Sequence, residues 1–116
     1  MQIDIQTHGF SLTDGLRDHT ERRLQFALAR AADRVRRITV CFFDINGPRG
    51  GIDKRCRIRV MLNGLGEVVI EDTETNLYLA IDRAADRIGR TVMRRLARRS
   101  VHPGENPAEP APPAAR

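Results

Sequence analysis

Hydrophobic and polar residues alternate along four segments of the chain, and this period of two residues predicts β-strands. The first segment covers residues 2–8, with apolar side chains on one face and polar side chains on the other. Residues 36–45 are apolar on both faces, which is typical of a strand in the centre of a sheet. Residues 54–62 and 67–72 alternate again, so we expect a third and a fourth strand there.

The turn between the third and fourth predicted strands contains an Asn-Gly pair, which is typical of a β-hairpin. Apolar residues of the two strands stay on one face if Val60 lies opposite Val68, and this pairing requires an odd number of loop residues. The simplest such loop is residues 63–65. The same register places Arg57 opposite Glu71.

Residues 14–34 repeat apolar side chains every three or four positions, which predicts an α-helix. Ser11 or Thr13 is expected to supply the N-cap hydroxyl. The apolar residues fall within about 120° of arc, so one side of this helix is suited to lie on a sheet. One flank of the helix carries Phe26 and the basic residues His19, Arg22, Arg23, Arg30 and Arg34.

A second helix is predicted over residues 75–99, with Thr73 or Thr75 as its N-cap. Gly89 lies inside it, and we expect this glycine to mark close packing against the other helix or the sheet. The side opposite the apolar face carries five arginines within about 80° of arc, in a stripe about 22 Å long. This arginine stripe consists of Arg83, Arg87, Arg90, Arg94 and Arg98.

The predicted element order is β-α-β-β-β-α, which defines an α+β fold. The first strand, the crossover helix and the next strand form a right-handed parallel connection, and the later strands form an antiparallel meander. We therefore expect a four-stranded mixed sheet with two helices packed on one face. Because basic and acidic residues lie across from each other on the open face, we interpret that face as ordinary solvated surface. Its charged residues are expected to be Arg55, Arg57, Arg59, Glu67 and Glu71.

The chain has 116 residues, of which 41% are hydrophobic and 4% aromatic, and this suits one domain with an aliphatic core. We expect that domain over residues 1–100. Residues 101–116 contain five of the six prolines, so this tail is expected to be disordered or polyproline-like. No apolar run is long enough to cross a membrane and no secretory signal is evident, so we expect a cytoplasmic protein.

Lys and Arg outnumber Asp and Glu by 20 to 15, and the formal net charge is +5. The arginine stripe has no acidic residues between its members, so its guanidinium groups repel one another. A polyanion would compensate this repulsion, and nucleic acid fits because phosphates bind guanidinium groups and release counterions. The alternative is a regulatory adaptor that presents the stripe to an acidic protein. A membrane surface is disfavoured, because the helix needs its apolar side for the sheet.

Catalytic chemistry has little support in the sequence. His8, His19 and His102 lie on different predicted elements, and no nucleophile, paired-carboxylate or phosphate-loop motif accompanies them. Cys41 and Cys56 have neither metal-ligand spacing nor a disulfide framework, and we interpret both as small core residues. We therefore expect no enzymatic activity, no metal or other cofactor and no small-molecule substrate.

Two sequence segments carry a family resemblance. They are LTDGLR at residues 12–17 and EDTETNLYLAIDR at residues 71–83, the latter followed by a basic helix. Together with the β-α-β-β-β-α order, they resemble the ribosome hibernation promoting factor family, also called ribosome-associated inhibitors or sigma-54 modulation proteins. The resemblance covers residues 1–99 and implies a fold similar to double-stranded RNA-binding domains.

The resemblance also implies a function without chemistry of its own. Members of this family bind the channel of the small ribosomal subunit where mRNA and tRNA would lie, and basic residues of both helices contact ribosomal RNA. Carried over by position, the RNA-binding residues are Arg22, Arg23, Arg30, Arg83, Arg87, Arg90, Arg94, Arg95 and Arg98. We therefore expect a translation inhibitor whose partner is ribosomal RNA of the small subunit.

Overall fold

The computed structural model describes residues 2–45 and 53–101, with side chains described up to residue 98. Four strands and two α-helices follow one another in the predicted order. The elements are β1 (Gln2–His8), α1 (Asp14–Ala27), a 3₁₀ helix (Ala29–Arg34), β2 (Val35–Asp44), β3 (Lys54–Leu62), β4 (Gly66–Glu74) and α2 (Leu77–Val101). Apart from Val101, the predicted tail lies outside the described residues, as does the glycine-rich segment 46–52.

The sheet is mixed, as the sequence predicts. Its strand order is β1-β2-β3-β4, with β1 parallel to β2 and the other pairs antiparallel. The predicted hairpin register is confirmed, because Val60 pairs with Val68 and Arg57 with Glu71. The β3–β4 ladder extends to a pair between Lys54 and Glu74, so β4 is longer than the predicted residues 67–72.

Both α-helices cover the same face of the sheet. Their apolar side chains join those of β2, β3 and β4 in a single buried cluster, which confirms the predicted α+β layer arrangement. The cluster is aliphatic apart from Phe42 and Cys56. Its largest fully buried side chains are Phe42, Leu24, Leu28, Ile38, Ile58, Ile81, Ile88, Val40, Val60 and Val92. In the described part of the chain, no helix is both long and apolar enough to cross a membrane.

The first helix is shorter than predicted. The α-helix ends at Ala27, and residues 29–34 form a 3₁₀ helix instead of a continuation of α1. Leu28 and Ala31 are both buried, and a spacing of three residues puts them on the same side of a 3₁₀ helix. Over six residues a period of 3.0 cannot be told from one of 3.6, so the hydrophobic pattern alone did not reveal this change.

The structure shows which residue caps each α-helix. Thr13 caps α1, since its Oγ1 accepts a hydrogen bond from the Leu16 amide at 3.1 Å. The cap predicted for α2 is wrong: Asn76, not Thr73 or Thr75, accepts the Leu79 amide at 2.7 Å. Thr73 is unavailable because β4 continues past it to residue 74.

Gly89 lies where the two helices are in close contact. A Cβ atom at this position would lie 2.8 Å from the Ala27 carbonyl oxygen, a distance that real Cβ atoms essentially never show. The prediction that Gly89 marks close packing against the other helix is therefore confirmed. The carbonyl belongs to the backbone at the end of α1, so it cannot move aside without shifting the helix.

The two cysteines differ in their surroundings. Cys56 is fully buried in the core, as predicted, and burial raises the pKa of its thiol. Cys41 lies on the open face of the sheet and is half-buried, with its Sγ 3.6 Å from Gln6 Oε1, so its assignment to the core is wrong. Alternation along β2 explains the difference, because Val40 and Phe42 on either side of Cys41 point into the core.

Replacing Gly89 with alanine is expected to lower the free energy of unfolding by about 1–2 kcal/mol, because overpacking against the Ala27 carbonyl exceeds the gain in helix propensity. Urea denaturation measures the change. Gly15→Ala is the matched control: its Cβ would meet only the end of the Tyr78 side chain, which is 41% exposed and can move. Equal stabilities for the two variants would contradict the close helix contact.

The two thiols are expected to differ in their reactivity towards an alkylating reagent. In the folded protein at pH 8, an alkylating reagent should modify Cys41, while Cys56 stays protonated and inaccessible. Both should react in denaturant. Mass spectrometry of the alkylated protein measures this difference, and modification of Cys56 at native conditions would show that the core opens locally.

Candidate nucleic-acid interface

The arginine stripe lies on the solvent side of α2, opposite the buried residues of that helix. All five members are exposed, as the helical spacing predicts. The ion pairs around them divide the stripe into two parts, one bound to the sheet and one open to solvent.

The N-terminal part of the stripe is compensated within the protein. Arg83 Nε lies 3.2 Å from Glu74 Oε2, and Arg87 Nη1 donates to Asp72 Oδ2 at 3.0 Å. Arg87 Nη1 also donates to the backbone oxygen of Glu71 at 2.9 Å. The expectation that compensation must come from outside the chain is therefore wrong for these two arginines. Their partners lie on β4, which the helix sequence alone does not show.

The C-terminal part of the stripe keeps its charge. Arg90, Arg94 and Arg98 make no ion pair with any residue that the structure describes. Arg94 Nη2 contacts the hydroxyl of Thr91 at 3.3 Å, which leaves its charge uncompensated. These guanidinium groups therefore repel one another, and an external anion could reduce that repulsion.

Arg95 has a different environment from its neighbours. Its side chain is half-buried, and Nη1 donates to the Leu65 carbonyl oxygen at 2.9 Å. This bond ties α2 to the turn between β3 and β4. Arg95 thus holds the helix on the sheet, in addition to the RNA contact predicted for it.

Arg23 connects the two helices. Its Nε lies 3.1 Å from Asp82 Oδ1 and its Nη2 lies 2.8 Å from Asp86 Oδ1, while the side chain is only 27% exposed. His19 Nε2 also lies 2.7 Å from Asp82 Oδ1, and its ring stacks on Tyr78 at 5.0 Å. Through this stacking, the Tyr78 ring packs against α1. Arg23 therefore braces α1 against α2.

Arg22 and Arg30 are exposed and lack an ion pair among the described residues. Arg30 follows the end of α1 and lines the same surface groove as Arg90 and Arg94. The structure therefore brings together basic residues that are about 60 positions apart in the chain. Of the nine arginines predicted to bind RNA, five make neither an ion pair nor a backbone hydrogen bond within the described residues. They are named here the free arginines: Arg22, Arg30, Arg90, Arg94 and Arg98.

The open face of the sheet is close to neutral by comparison. Arg57 pairs with Glu71 at 3.0 Å and Arg59 with Glu67 at 3.1 Å, which agrees with the interpretation of this face as solvated surface. Phe43 lies among these charges. Its ring stacks on His8 at 4.8 Å, and the guanidinium of Arg57 lies 5.3 Å from the ring centre. Sequence reasoning missed this cluster of Phe43, His8 and Arg57.

A charged cluster joins the ends of β2 and β3. Lys54 Nζ lies 3.0 Å from Asp44 Oδ1 and 2.9 Å from Asp53 Oδ1, and Asp53 is buried. These hydrogen bonds to Asp53 and Asp44 raise the pKa of the Lys54 ammonium group. No pattern in the sequence predicts this cluster. Among the described residues, no group of three or more His, Cys, Asp or Glu side chains is arranged to hold a metal ion.

The sheet, the two helices on one face and the free arginines define a small α+β protein with a surface suited to a polyanion. Residues 3–100 match the sequence model of the family described as sigma 54 modulation protein / S30EA ribosomal protein. The chain belongs to this family, and the resemblance found in its sequence is confirmed.

Known relatives support the assignment. A ribosome hibernation promoting factor from Azotobacter vinelandii is 28% identical over 112 residues, which cover 94% of this chain and 96% of that protein. The crystal structure of the N-terminal domain of Thermus thermophilus Protein Y superposes with a TM-score of 0.67 at 28% identity, covering 81% of this chain and 98% of that domain. A ribosomal subunit interface protein from Coxiella burnetii shares the fold, with a TM-score of 0.70 at 20% identity over 84% of this chain and 99% of the other.

Adjacent arginines on α1 are expected to respond differently to substitution. Arg23→Gln should lower the free energy of unfolding by about 1 kcal/mol, because it removes both ion pairs to α2. Arg22→Gln should change it by less than about 0.5 kcal/mol, since Arg22 is exposed and makes no ion pair within the described structure. Thermal and urea denaturation measure both. Equal effects would contradict the separation of bracing arginines from free ones.

Proposed function

We propose that this protein binds the small ribosomal subunit through its free arginines and inhibits translation by occupying the channel for mRNA and tRNA. The observation that carries the proposal is the meeting of Arg30 from the 3₁₀ helix with Arg90 and Arg94 from α2 on one surface. Three guanidinium groups without carboxylate partners form a local excess of positive charge, and ribosomal RNA offers phosphates to neutralise it.

The family and the relatives of this chain support a ribosomal partner. The family description includes a ribosomal protein, and the Azotobacter vinelandii relative is a ribosome hibernation promoting factor. That relative aligns over nearly the whole length of both chains, so the basic helices belong to the shared part. We therefore assign this chain a role in ribosome hibernation in the cytoplasm, where ribosomes act.

The mechanism follows from charge and shape. Each arginine that contacts a phosphate displaces counterions, and this release drives association at moderate salt. The braced residues Arg23, Arg83 and Arg87 hold α2 on the rest of the fold, so the free arginines are presented on a fixed frame. α2 has 25 residues and is about 37 Å long, enough to occupy a channel as a rigid body. No bond is made or broken, and we expect no cofactor.

The proposal predicts a loss of ribosome binding when the free arginines of α2 are neutralised. Arg90→Gln combined with Arg94→Gln should weaken co-sedimentation with small subunits by more than about tenfold, because two charge-assisted contacts are lost. The control combines Arg37→Gln with Arg59→Gln, which removes the same charge from the open face of the sheet. Those arginines form exposed ion pairs with Asp4 and Glu67, so the fold should tolerate their loss.

Sucrose-gradient sedimentation at near-physiological salt distinguishes the outcomes. The wild type and the control should migrate with small subunits, and raising the salt should release both. If the variants at positions 90 and 94 bind as tightly as the control, the free arginines are not the contact surface. If the wild type stays at the top of the gradient and is instead retained by an acidic protein after nuclease treatment, the adaptor alternative replaces the proposal.

A further inference from the structure

Phe26 is the most exposed large hydrophobic side chain in the described part of the protein. It is 79% exposed, although it lies in the last turn of α1, next to the well-packed contact between the helices. Burying a phenylalanine side chain contributes about 1.5–3 kcal/mol of favourable free energy. Because Phe26 is exposed beside an apolar cavity, a partner that covers it can gain this free energy on binding. Phe26 therefore marks a surface to be covered.

The surface beside Phe26 is a groove of about 710 Å³ between the end of α1 and the middle of α2. Its floor contains Gly89 and the half-buried residues Ala27 and Met93. The missing side chain at position 89 is what allows the helices to come so close at this point. The groove is thus an apolar recess with one aromatic ring at its edge.

The rim of the groove is basic. Arg30, Arg90 and Arg94 line it, and all three are free arginines. The one carboxylate on the rim, Asp86, lies 2.8 Å from Arg23 Nη2, so its charge is already compensated. An occupant must therefore combine a flat apolar part for the floor with negative charge at its edges.

An unpaired nucleotide of RNA has this combination. Its base offers a planar face to an aromatic ring, and the phosphates on either side lie where guanidinium groups can reach them. A base within a double helix is already stacked between its neighbours and is unavailable to Phe26. We propose that the groove binds an unpaired nucleotide, with its base against Phe26 and its phosphates on Arg30, Arg90 and Arg94. The assignment rests on the proposed function and specifies the kind of RNA contact.

The chain has no tryptophan, so a Phe26→Trp variant carries a single fluorescent indole at the groove. The probe is a ten-nucleotide oligouridylate, and stacking of a uracil base should quench the indole fluorescence. Inorganic polyphosphate of similar charge should bind the arginines without quenching, since it has no base. The control variant is Val69→Trp, which places an indole on the open face of the sheet and should be quenched by neither probe.

A second measurement separates stacking from charge. Phe26→Ala should weaken oligouridylate binding by about 5-fold to about 100-fold, while the dependence of affinity on salt stays the same. Arg94→Gln should also weaken binding, but it should reduce the slope of log affinity against log salt by about 0.7. Phe26→Tyr should keep most of the affinity, because the aromatic face is retained.

The outcomes separate this inference from the proposed function. If the wild type co-sediments with ribosomes but Phe26→Ala binds oligouridylate as tightly as the wild type, the nucleotide site is wrong and ribosome binding stands. Quenching of the indole at position 26 by polyphosphate as strongly as by oligouridylate also overturns the site. If oligouridylate quenches as expected but the wild type does not bind ribosomes, the nucleotide site stands and the ribosomal partner is wrong.

Discussion

The close contact between α1 and α2 at Gly89 determines the rest of the functional surface. Because a Cβ at this position would meet the Ala27 carbonyl oxygen, only glycine lets the helices lie this near each other. The approach aligns Arg23 with two carboxylates of α2 and places Arg30 beside Arg90. A wider spacing would lengthen the contacts between Arg23 and its carboxylates and would move Arg30 away from Arg90.

The arginines predicted to bind RNA divide into two kinds that composition cannot distinguish. Those near the sheet or the helix contact are held by carboxylates or carbonyl oxygens and fix the position of α2. The free arginines further along α2, together with Arg22 and Arg30, make no ion pair with the described residues. Arg87 and Arg94 are members of the same stripe, yet Arg87 is bound to Asp72, whereas Arg94 makes no ion pair with a residue that the structure describes. Spacing along a helix therefore identifies a basic face but not which of its charges are available.

Most of the fold could be predicted because strand alternation assigns each residue to a face, and the faces then determine register. The pairing of Val60 with Val68 follows from this rule together with the shortest loop that it allows, residues 63–65. The features that the sequence did not reveal depend on contacts between segments that are distant in the chain. The cap at Asn76 follows from where β4 ends, and the partner of Arg87 lies on β4. The groove brings Arg30 next to residues of α2, and the hydrophobic pattern of neither helix shows that these segments meet.

The groove belongs to two elements that are made at different times during protein synthesis. Phe26 and Arg30 are translated long before Arg90 and Arg94, and α2 is the last element of the described chain. A nascent chain that contains only α1 and the sheet therefore has half of the surface, with Arg23 still lacking its partners on α2. The surface that combines Phe26 with the free arginines of α2 is therefore complete only when the last helix has folded onto the first.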